Sequence, residues 1–151
     1  MHWKPVKLLL IFLFLFLVPL VSRAEIYAAS PDGMTLTEAL SLCADGDVVE
    51  LQDGVYAEPA EAFPLTVSKA VAIRAAEGAC PVIDAPAFKA AFRVEADGVS
   101  LQGLEIRFRR TGIYAIGSDL TMENCRIALA DEAWRTSSCG MWCGGVYRMT
   151  L

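Results

Sequence analysis

Short segments in which apolar and polar residues alternate recur along the second half of the chain at a regular spacing. Val99–Ile106 (VSLQGLEI) aligns with Leu120–Ile127 (LTMENCRI) after a shift of 21 positions, and apolar positions then fall on apolar positions. The same shift carries Phe92–Val94 onto Ile113–Ala115. Alternation with a period of two is typical of β-strands, and repetition of such units is typical of solenoids.

Each repeat holds about three short strands, which is too little to bury an apolar face alone. If the repeats stack as coils, each strand pairs with its equivalent about 4.8 Å away, and inward side chains form columns such as Ile73–Leu101–Met122. Gly103 falls on Asn124, and these two residue types adopt left-handed backbone most readily. Helical repeats would need an apolar period near 3.6, so the pattern predicts an all-β parallel β-helix.

Before the repeats, the segment 35–44 predicts an amphipathic helix that caps the first coil. Thr35 and Glu38 have the spacing of a capping box. Apolar residues follow at helical spacing: Leu36, Ala39, Leu40 and Cys43. We expect Val48–Leu51 to be the first strand and Val55–Tyr56 to follow after a tight turn.

The N-terminus has the features of an export signal. Lys4 and Lys7 precede the unbroken apolar run Leu8–Val18, and Ser22-Arg23-Ala24 places small residues before a cleavage site at Glu25. Eleven apolar residues are fewer than the roughly 20 that span a membrane. Residues 1–24 therefore predict a signal peptide, with 25–151 as a periplasmic or secreted domain that has no membrane association after cleavage. An uncleaved anchor is the alternative.

Composition narrows the possible chemistry. The 151-residue chain has 13 basic residues, of which Lys4, Lys7 and Arg23 lie in the predicted signal. The domain after the signal therefore has ten basic and 18 acidic residues, which gives it a net charge of −8. Such a chain is not expected to bind nucleic acid, which requires clustered Lys and Arg. The only histidine is His2, so the domain after the signal has no histidine for catalysis or for metal binding.

The residues also resemble a known group, the right-handed parallel β-helix proteins of the pectate-lyase-like superfamily. The resemblance covers nearly all of the domain and rests on the turns at Gly103 and Asn124 and on four motifs: Thr35-Leu-x-Glu-Ala-Leu, Gly46-Asp-Val-Val-x-Leu, Gly54-Val-Tyr and Phe63-Pro-Leu-x-Val. The group includes polysaccharide lyases, glycoside hydrolases, uronate epimerases, non-catalytic surface proteins and a periplasmic copper-site assembly protein. The resemblance therefore implies a fold and leaves the activity open. Lyases of the group carry their catalytic bases and calcium ligands on later coils, so no catalytic residue or cofactor is predicted, calcium included.

The coils are clearest over 48–129, and we expect 130–151 to be irregular and to form an incomplete last coil. Gly145–Tyr147 echoes Gly112–Tyr114, and Arg148–Leu151 has the pattern of a further strand. With no polar cap in this stretch, we expect the sequence to be the N-terminal portion of a longer protein. Self-association through this end is the alternative.

Basic residues cluster after the strand that ends at Ile106. Arg107, Arg109 and Arg110 follow it, and Arg126 lies one coil further on, so together they are candidates for binding an acidic saccharide. The alternative is that Arg126 forms a cross-strand ion pair with Glu105 and that the others are solvated. The two lysines of the domain, Lys69 and Lys89, are isolated in turns.

Acidic and aromatic residues supply weaker candidates. Hydrolysis of a glycosidic bond needs two opposed carboxylates. The sequence identifies no opposed carboxylate for any of its acidic candidates, which are Glu123 in the outward column Arg74–Gln102–Glu123, Asp119, and the pair Asp131–Glu132. Aromatic platforms for sugar rings are conceivable, and Tyr114 could instead stack on Arg93 one coil earlier. The aromatic candidates are Tyr114, Trp134, Trp142 and Tyr147.

Five cysteines permit at most two disulfide bonds and leave one thiol. Cys125 occupies an inward column and predicts a core thiol. Cys139 and Cys143 could form a disulfide bond, or with Met141 they could form a weak soft-ligand site for Cu(I).

These observations favour carbohydrate interaction, either as a binding module or as the N-terminal part of a polysaccharide lyase or hydrolase, with polysaccharide as the partner. The alternative is a non-catalytic envelope protein or a periplasmic copper-site assembly protein.

We predict that this chain has no enzymatic activity by itself. For lyase chemistry in particular, no base and cation pair that could act on a uronate is identifiable in it. Incubation of the purified chain with polygalacturonate should give no rise in ultraviolet absorbance. A rise from unsaturated uronate product would contradict the prediction.

Overall fold

The computed structural model describes residues 23–87, 89–117 and 119–130, and the backbone of residues 139–143 and 147–150. Most of the predicted signal peptide, residues 1–22, lies outside this part of the chain. Within it, no helix has the length and hydropathy of a membrane span. The described residues form one α-helix, α1 (Leu36–Leu42), and one 3-10 helix (Ala60–Ala62). The strands are β1 (Ile26–Ala29), β2 (Val48–Leu51), β3 (Val55–Tyr56), β4 (Leu65–Val67), β5 (Ala72–Ala75), β6 (Val82–Asp84), β7 (Ala90–Val94), β8 (Ser100–Gln102), β9 (Glu105–Phe108), β10 (Thr111–Ala115), β11 (Leu120–Glu123), β12 (Arg126–Leu129), β13 (Cys139–Cys143) and β14 (Tyr147–Thr150).

The strands form three parallel sheets that run along the axis of a solenoid. Sheet A has the order β1-β2-β5-β8-β11-β14, sheet B the order β12-β9-β6-β3 and sheet C the order β13-β10-β7-β4. Strands that are neighbours in a sheet lie one coil apart in the sequence. The prediction of an all-β parallel β-helix is therefore confirmed.

The predicted register is also confirmed. In sheet A, Ile73 pairs with Leu101 and Leu101 with Met122, and all three side chains are buried. Gly103 and Asn124 both adopt positive φ angles, +70° and +52°, so the corner that follows each sheet A strand has the same backbone conformation in successive coils. The aliphatic columns form one continuous core.

Helix α1 lies at the N-terminal end of this core, as predicted. The hydroxyl of Thr35 accepts a hydrogen bond from the backbone N–H of Glu38 (3.1 Å), and the carboxylate of Glu38 accepts one from the N–H of Thr35 (2.9 Å), so the capping box is complete. Leu36 and Ala39 are fully buried, and the helix contacts β1, β2 and β4. It therefore covers apolar side chains of the first coil that would otherwise face water.

The expectation that Val48–Leu51 is the first strand is wrong. β1 (Ile26–Ala29) precedes it and pairs with it in parallel, with Ile26 opposite Val48. Only Ala29 of this strand is buried, so the alternation that marks the other strands is weak here. Backbone pairing, which sequence alternation does not report, places β1 in the sheet.

The last coil also differs from the expected alignment. Cys139 lies opposite Thr111 and Trp142 opposite Tyr114, whereas Tyr147 begins β14 in sheet A, opposite Leu120. The echo between Gly145–Tyr147 and Gly112–Tyr114 is therefore not a structural equivalence. The stretch 130–151, expected to be irregular, contains two paired strands. A longer connection between β12 and β13 than between β9 and β10 breaks the 21-residue period here.

Leu101→Ala should lower the free energy of unfolding by about 2–5 kcal/mol, because it opens a cavity in the middle of the inward column. Gln102→Ala in the same strand removes an outward side chain and should change it by less than about 1 kcal/mol. Urea denaturation measures both. Equal losses would contradict the inward placement of Leu101.

Candidate functional site

Three of the four candidate arginines meet in one groove on the outer face of sheet B. Arg107 lies in β9 and Arg126 in β12 on the next coil, while Arg109 follows β9 in the turn. The cavity has a volume of about 370 Å³. We call it the arginine groove, and its lining is Asp84, Glu105, Arg107, Arg109, Arg126, Ala128, Leu129 and Ala130.

Two carboxylates hold these guanidinium groups in place. Glu105 Oε1 lies 2.7 Å from Arg107 Nε, and its Oε2 lies 3.7 Å from Arg126 Nη1. The expected cross-strand pair between Arg126 and Glu105 is therefore present. Asp84 Oδ1 accepts a hydrogen bond from Arg109 Nη1 at 3.0 Å, and the same nitrogen donates to the carbonyl of Ala85.

The groove keeps an excess of positive charge after this pairing, since three guanidinium groups face two carboxylates. The side chain of Arg126 is 75% exposed, and its guanidinium group makes no hydrogen bond with a described residue. The guanidinium group of Arg107 donates to the described residues only through Nε. The N–H groups of its two terminal nitrogens therefore remain available to a ligand. Because both carboxylates already accept from arginine, the arrangement suits the binding of an anion better than proton transfer.

Sequence reasoning missed Asp84 as a member of this site. The repeat that aligns Pro81–Ile83 with Leu104–Ile106 carries Asp84 onto Arg107, and the structure pairs these two positions. This alignment of the repeats could have placed Asp84 beside Arg107 from the sequence alone.

The other basic candidates lie elsewhere. Arg110 is exposed and does not line the groove. Lys69 lines a second cavity of about 420 Å³ between α1 and β4, but its ammonium group donates to the carbonyl oxygens of Ser41 and Cys43 at the end of α1. Lys69 therefore closes the C-terminus of the capping helix.

The outward column of sheet A is a ladder of paired polar side chains. Arg74 Nη2 lies 3.0 Å from Glu50 Oε2, and Gln102 Nε2 donates to Glu123 Oε2 at 3.2 Å. Glu50 and Glu123 are three coil steps apart in this column, roughly 14 Å at the usual strand spacing. This separation exceeds what paired glycosidase carboxylates require.

The aromatic candidates in the described strands lie on two different sheets. Tyr114 lies one coil after Arg93 and is followed in register by Trp142, all on sheet C. Tyr147 is in sheet A, and Trp134 lies outside the described residues. Arg93 forms an ion pair with Glu95, with 2.7 Å between Nε and Oε1.

Cys43, Cys80 and Cys125 are free thiols in three different environments. Cys43 is buried and Cys80 is exposed, whereas Cys125 packs against the core and is half-buried, less covered than expected for a core thiol. Burial raises the pKa of the Cys43 and Cys125 thiols. Among the described residues no cluster of His, Cys, Asp and Glu could hold a metal ion. The side chains of Cys139, Met141 and Cys143 lie outside the described part, so their metal site stays a prediction.

With all cysteines reduced, brief treatment of the folded protein with iodoacetamide at pH 8 should label Cys80 at least about tenfold faster than Cys43, because burial and a raised pKa both suppress the thiolate. Peptide mass spectrometry measures the labelling. In guanidinium chloride the rates should converge, and equal rates in the folded protein would contradict this assignment.

Comparison with known proteins supports the fold of this chain but does not identify its activity. No family model matches the chain, and no curated protein shows significant similarity. Among solved structures, the crystal structure of pectate lyase Pel9A is similar, with a TM-score of 0.59 and 24% sequence identity. The match covers 69% of this chain and 33% of the lyase, so the chain spans about a third of that protein. The chain therefore has a pectate-lyase-like right-handed parallel β-helix fold.

Proposed function

We propose that this chain is an exported, polysaccharide-binding β-helix whose arginine groove binds the carboxylate groups of an acidic polysaccharide. The fold is one associated with carbohydrate function. The single observation that carries the proposal is the surplus of guanidinium groups over carboxylates in a groove on the outer face of the solenoid.

The geometry of the arginines supports an anionic ligand. The terminal nitrogens of Arg107 and the guanidinium group of Arg126 come from adjacent coils that lie side by side in sheet B. A guanidinium group offers five N–H donors in a plane, and hydrogen bonds from it to a carboxylate are charge-assisted. A sugar carboxylate that lies in the groove, over the outer face of these two strands, would accept from both arginines without displacing Glu105.

The shape of the solenoid supports a polymer. Successive coils present equivalent positions about 4.8 Å apart along the axis, and solenoids use such extended faces to bind long partners. The net charge of the domain opposes the approach of an acidic polymer at long range, so binding depends on local contacts in the groove.

Arg126→Gln and Arg107→Gln should each weaken binding of polygalacturonate by about fivefold or more, because each removes one charge-assisted contact. Isothermal titration calorimetry with the chain that begins at Glu25 measures the Kd. Binding should weaken further as ionic strength rises from about 0.1 M to 1 M, where the Debye length falls to about 3 Å.

Arg93→Gln is the matched control, because Arg93 forms an ion pair of the same 2.7 Å length with a glutamate two residues away, but on sheet C. It should change the Kd by less than about twofold. Dextran, which carries no carboxylate, should not bind. Equal effects of Arg93→Gln and Arg126→Gln, or no binding of polygalacturonate at low salt, would refute the proposal.

A further inference from the structure

Within the described part of the chain, which starts at Arg23, the hydrogen bonds of the fold begin at Glu25, the residue that follows the predicted cleavage site. The backbone N–H of Glu25 donates to Asp47 Oδ1 at 2.9 Å, and its carbonyl accepts from the N–H of Val48 at 2.9 Å. Arg23 and Ala24 are exposed and make no hydrogen bond with a described residue. The small-residue pattern before the predicted cut and the first hydrogen bond of the described residues thus fall at the same position, Glu25.

The acceptor at this point is a buried carboxylate. Asp47 is the buried charged residue of the described chain, 7% exposed, and its Oδ2 accepts a second hydrogen bond from the N–H of Ala44 at 2.7 Å. The hydrogen bonds from Ala44 and Glu25 hold the pKa of Asp47 below its ordinary value. The carboxylate therefore stays ionised at neutral pH and connects the start of β1 to the turn before β2.

We propose that Asp47 is the binding site for the α-ammonium group that signal cleavage creates on Glu25. Hydrolysis of the Ala24–Glu25 peptide bond by a signal peptidase consumes one water, leaves a carboxylate on Ala24 and leaves an amine on Glu25 that takes up the proton. The nitrogen that already lies 2.9 Å from Asp47 Oδ1 thereby gains a positive charge. Cleavage converts a neutral donor into an ion pair and stabilises the processed fold more than the precursor.

The surrounding charges favour this ion pair. The ammonium group of Lys69 also attracts Asp47 but is held by the carbonyl oxygens at the end of α1. The side chain of Glu25 accepts a hydrogen bond from the Tyr27 hydroxyl at 3.1 Å. The Cys43 thiol is nearby and neutral, since burial raises its pKa. The new ammonium group therefore meets two carboxylates and one cation that is already bound elsewhere.

The pH dependence follows from the sign of the interaction. An ion pair raises the pKa of the α-ammonium group above its unfolded value of about 7.7–8.0. Its stabilisation is complete below that value and is lost as the pH rises through the folded pKa. The contribution of Asp47, whose pKa is lowered, is present above about pH 4 and is lost as the pH falls through its folded pKa.

The test compares the chain that begins at Glu25 with the same chain carrying an acetylated N-terminus, each with Asp47 and with Asp47→Asn. At pH 6.5 acetylation should lower Tm by about 4 °C or more, because it removes the charge and keeps the N–H. The difference should shrink at pH 9.5 and vanish in Asp47→Asn. N-terminal sequencing of the exported protein should begin at Glu25.

Asp45→Asn is the matched control, because Asp45 Oδ1 also accepts a backbone N–H, that of Ala70 at 2.8 Å, and forms no hydrogen bond with Glu25. In this variant the effect of acetylation should persist. If Asp47→Asn does not fold, the pKa of the α-amino group in the unaltered chain decides the question, from the pH dependence of its reductive methylation. A value at or below about 8.0, an equal acetylation effect in Asp47→Asn, or an N-terminus other than Glu25 would overturn the proposal.

Discussion

Parallel backbone pairing between one coil and the next determines the position of every other group in this molecule. Each strand hydrogen-bonds to its equivalent in the neighbouring coil, so a side chain lies over the side chain at the same position one turn earlier. Inward positions then stack into aliphatic columns, which supply the hydrophobic stabilisation that a single coil cannot supply. Because the pairing is in register, outward side chains also stack in columns from coil to coil, as the inward side chains do.

This order gives each outer face its own character. Sheet A presents a ladder in which Glu50 pairs with Arg74 and Gln102 with Glu123. Sheet C presents Arg93 and Tyr114 one above the other. Sheet B gathers the arginine groove, where β9 and β12 contribute from adjacent coils. The proposed polysaccharide site thus arises largely from the same stacking that forms the core, with Arg109 contributed by the turn that follows β9.

The ends of a solenoid are its exposed points, and this chain protects the N-terminal end by several contacts that meet near Asp47. Helix α1 covers the first coil, and Lys69 binds the carbonyl oxygens at the end of that helix. Asp47 holds the start of β1 against the turn that leads into β2. The proposed ammonium contact belongs to this arrangement, since it would fasten the outermost strand of sheet A at its first residue.

The amino-acid sequence by itself determined the coil register, the capping box and the corners at Gly103 and Asn124, because each depends on local alternation or on a fixed short spacing. The sequence also indicated that Arg107 and Arg126 lie on neighbouring coils, because the 21-residue repeat can be read directly from the order of residues. It did not identify β1, whose placement rests on backbone pairing rather than on alternation, or the alignment of Trp142 with Tyr114, because a longer connection breaks the period. The role of Asp84 in the groove and the contact between Asp47 and Glu25 depend on side chains that only the folded chain brings within hydrogen-bonding distance.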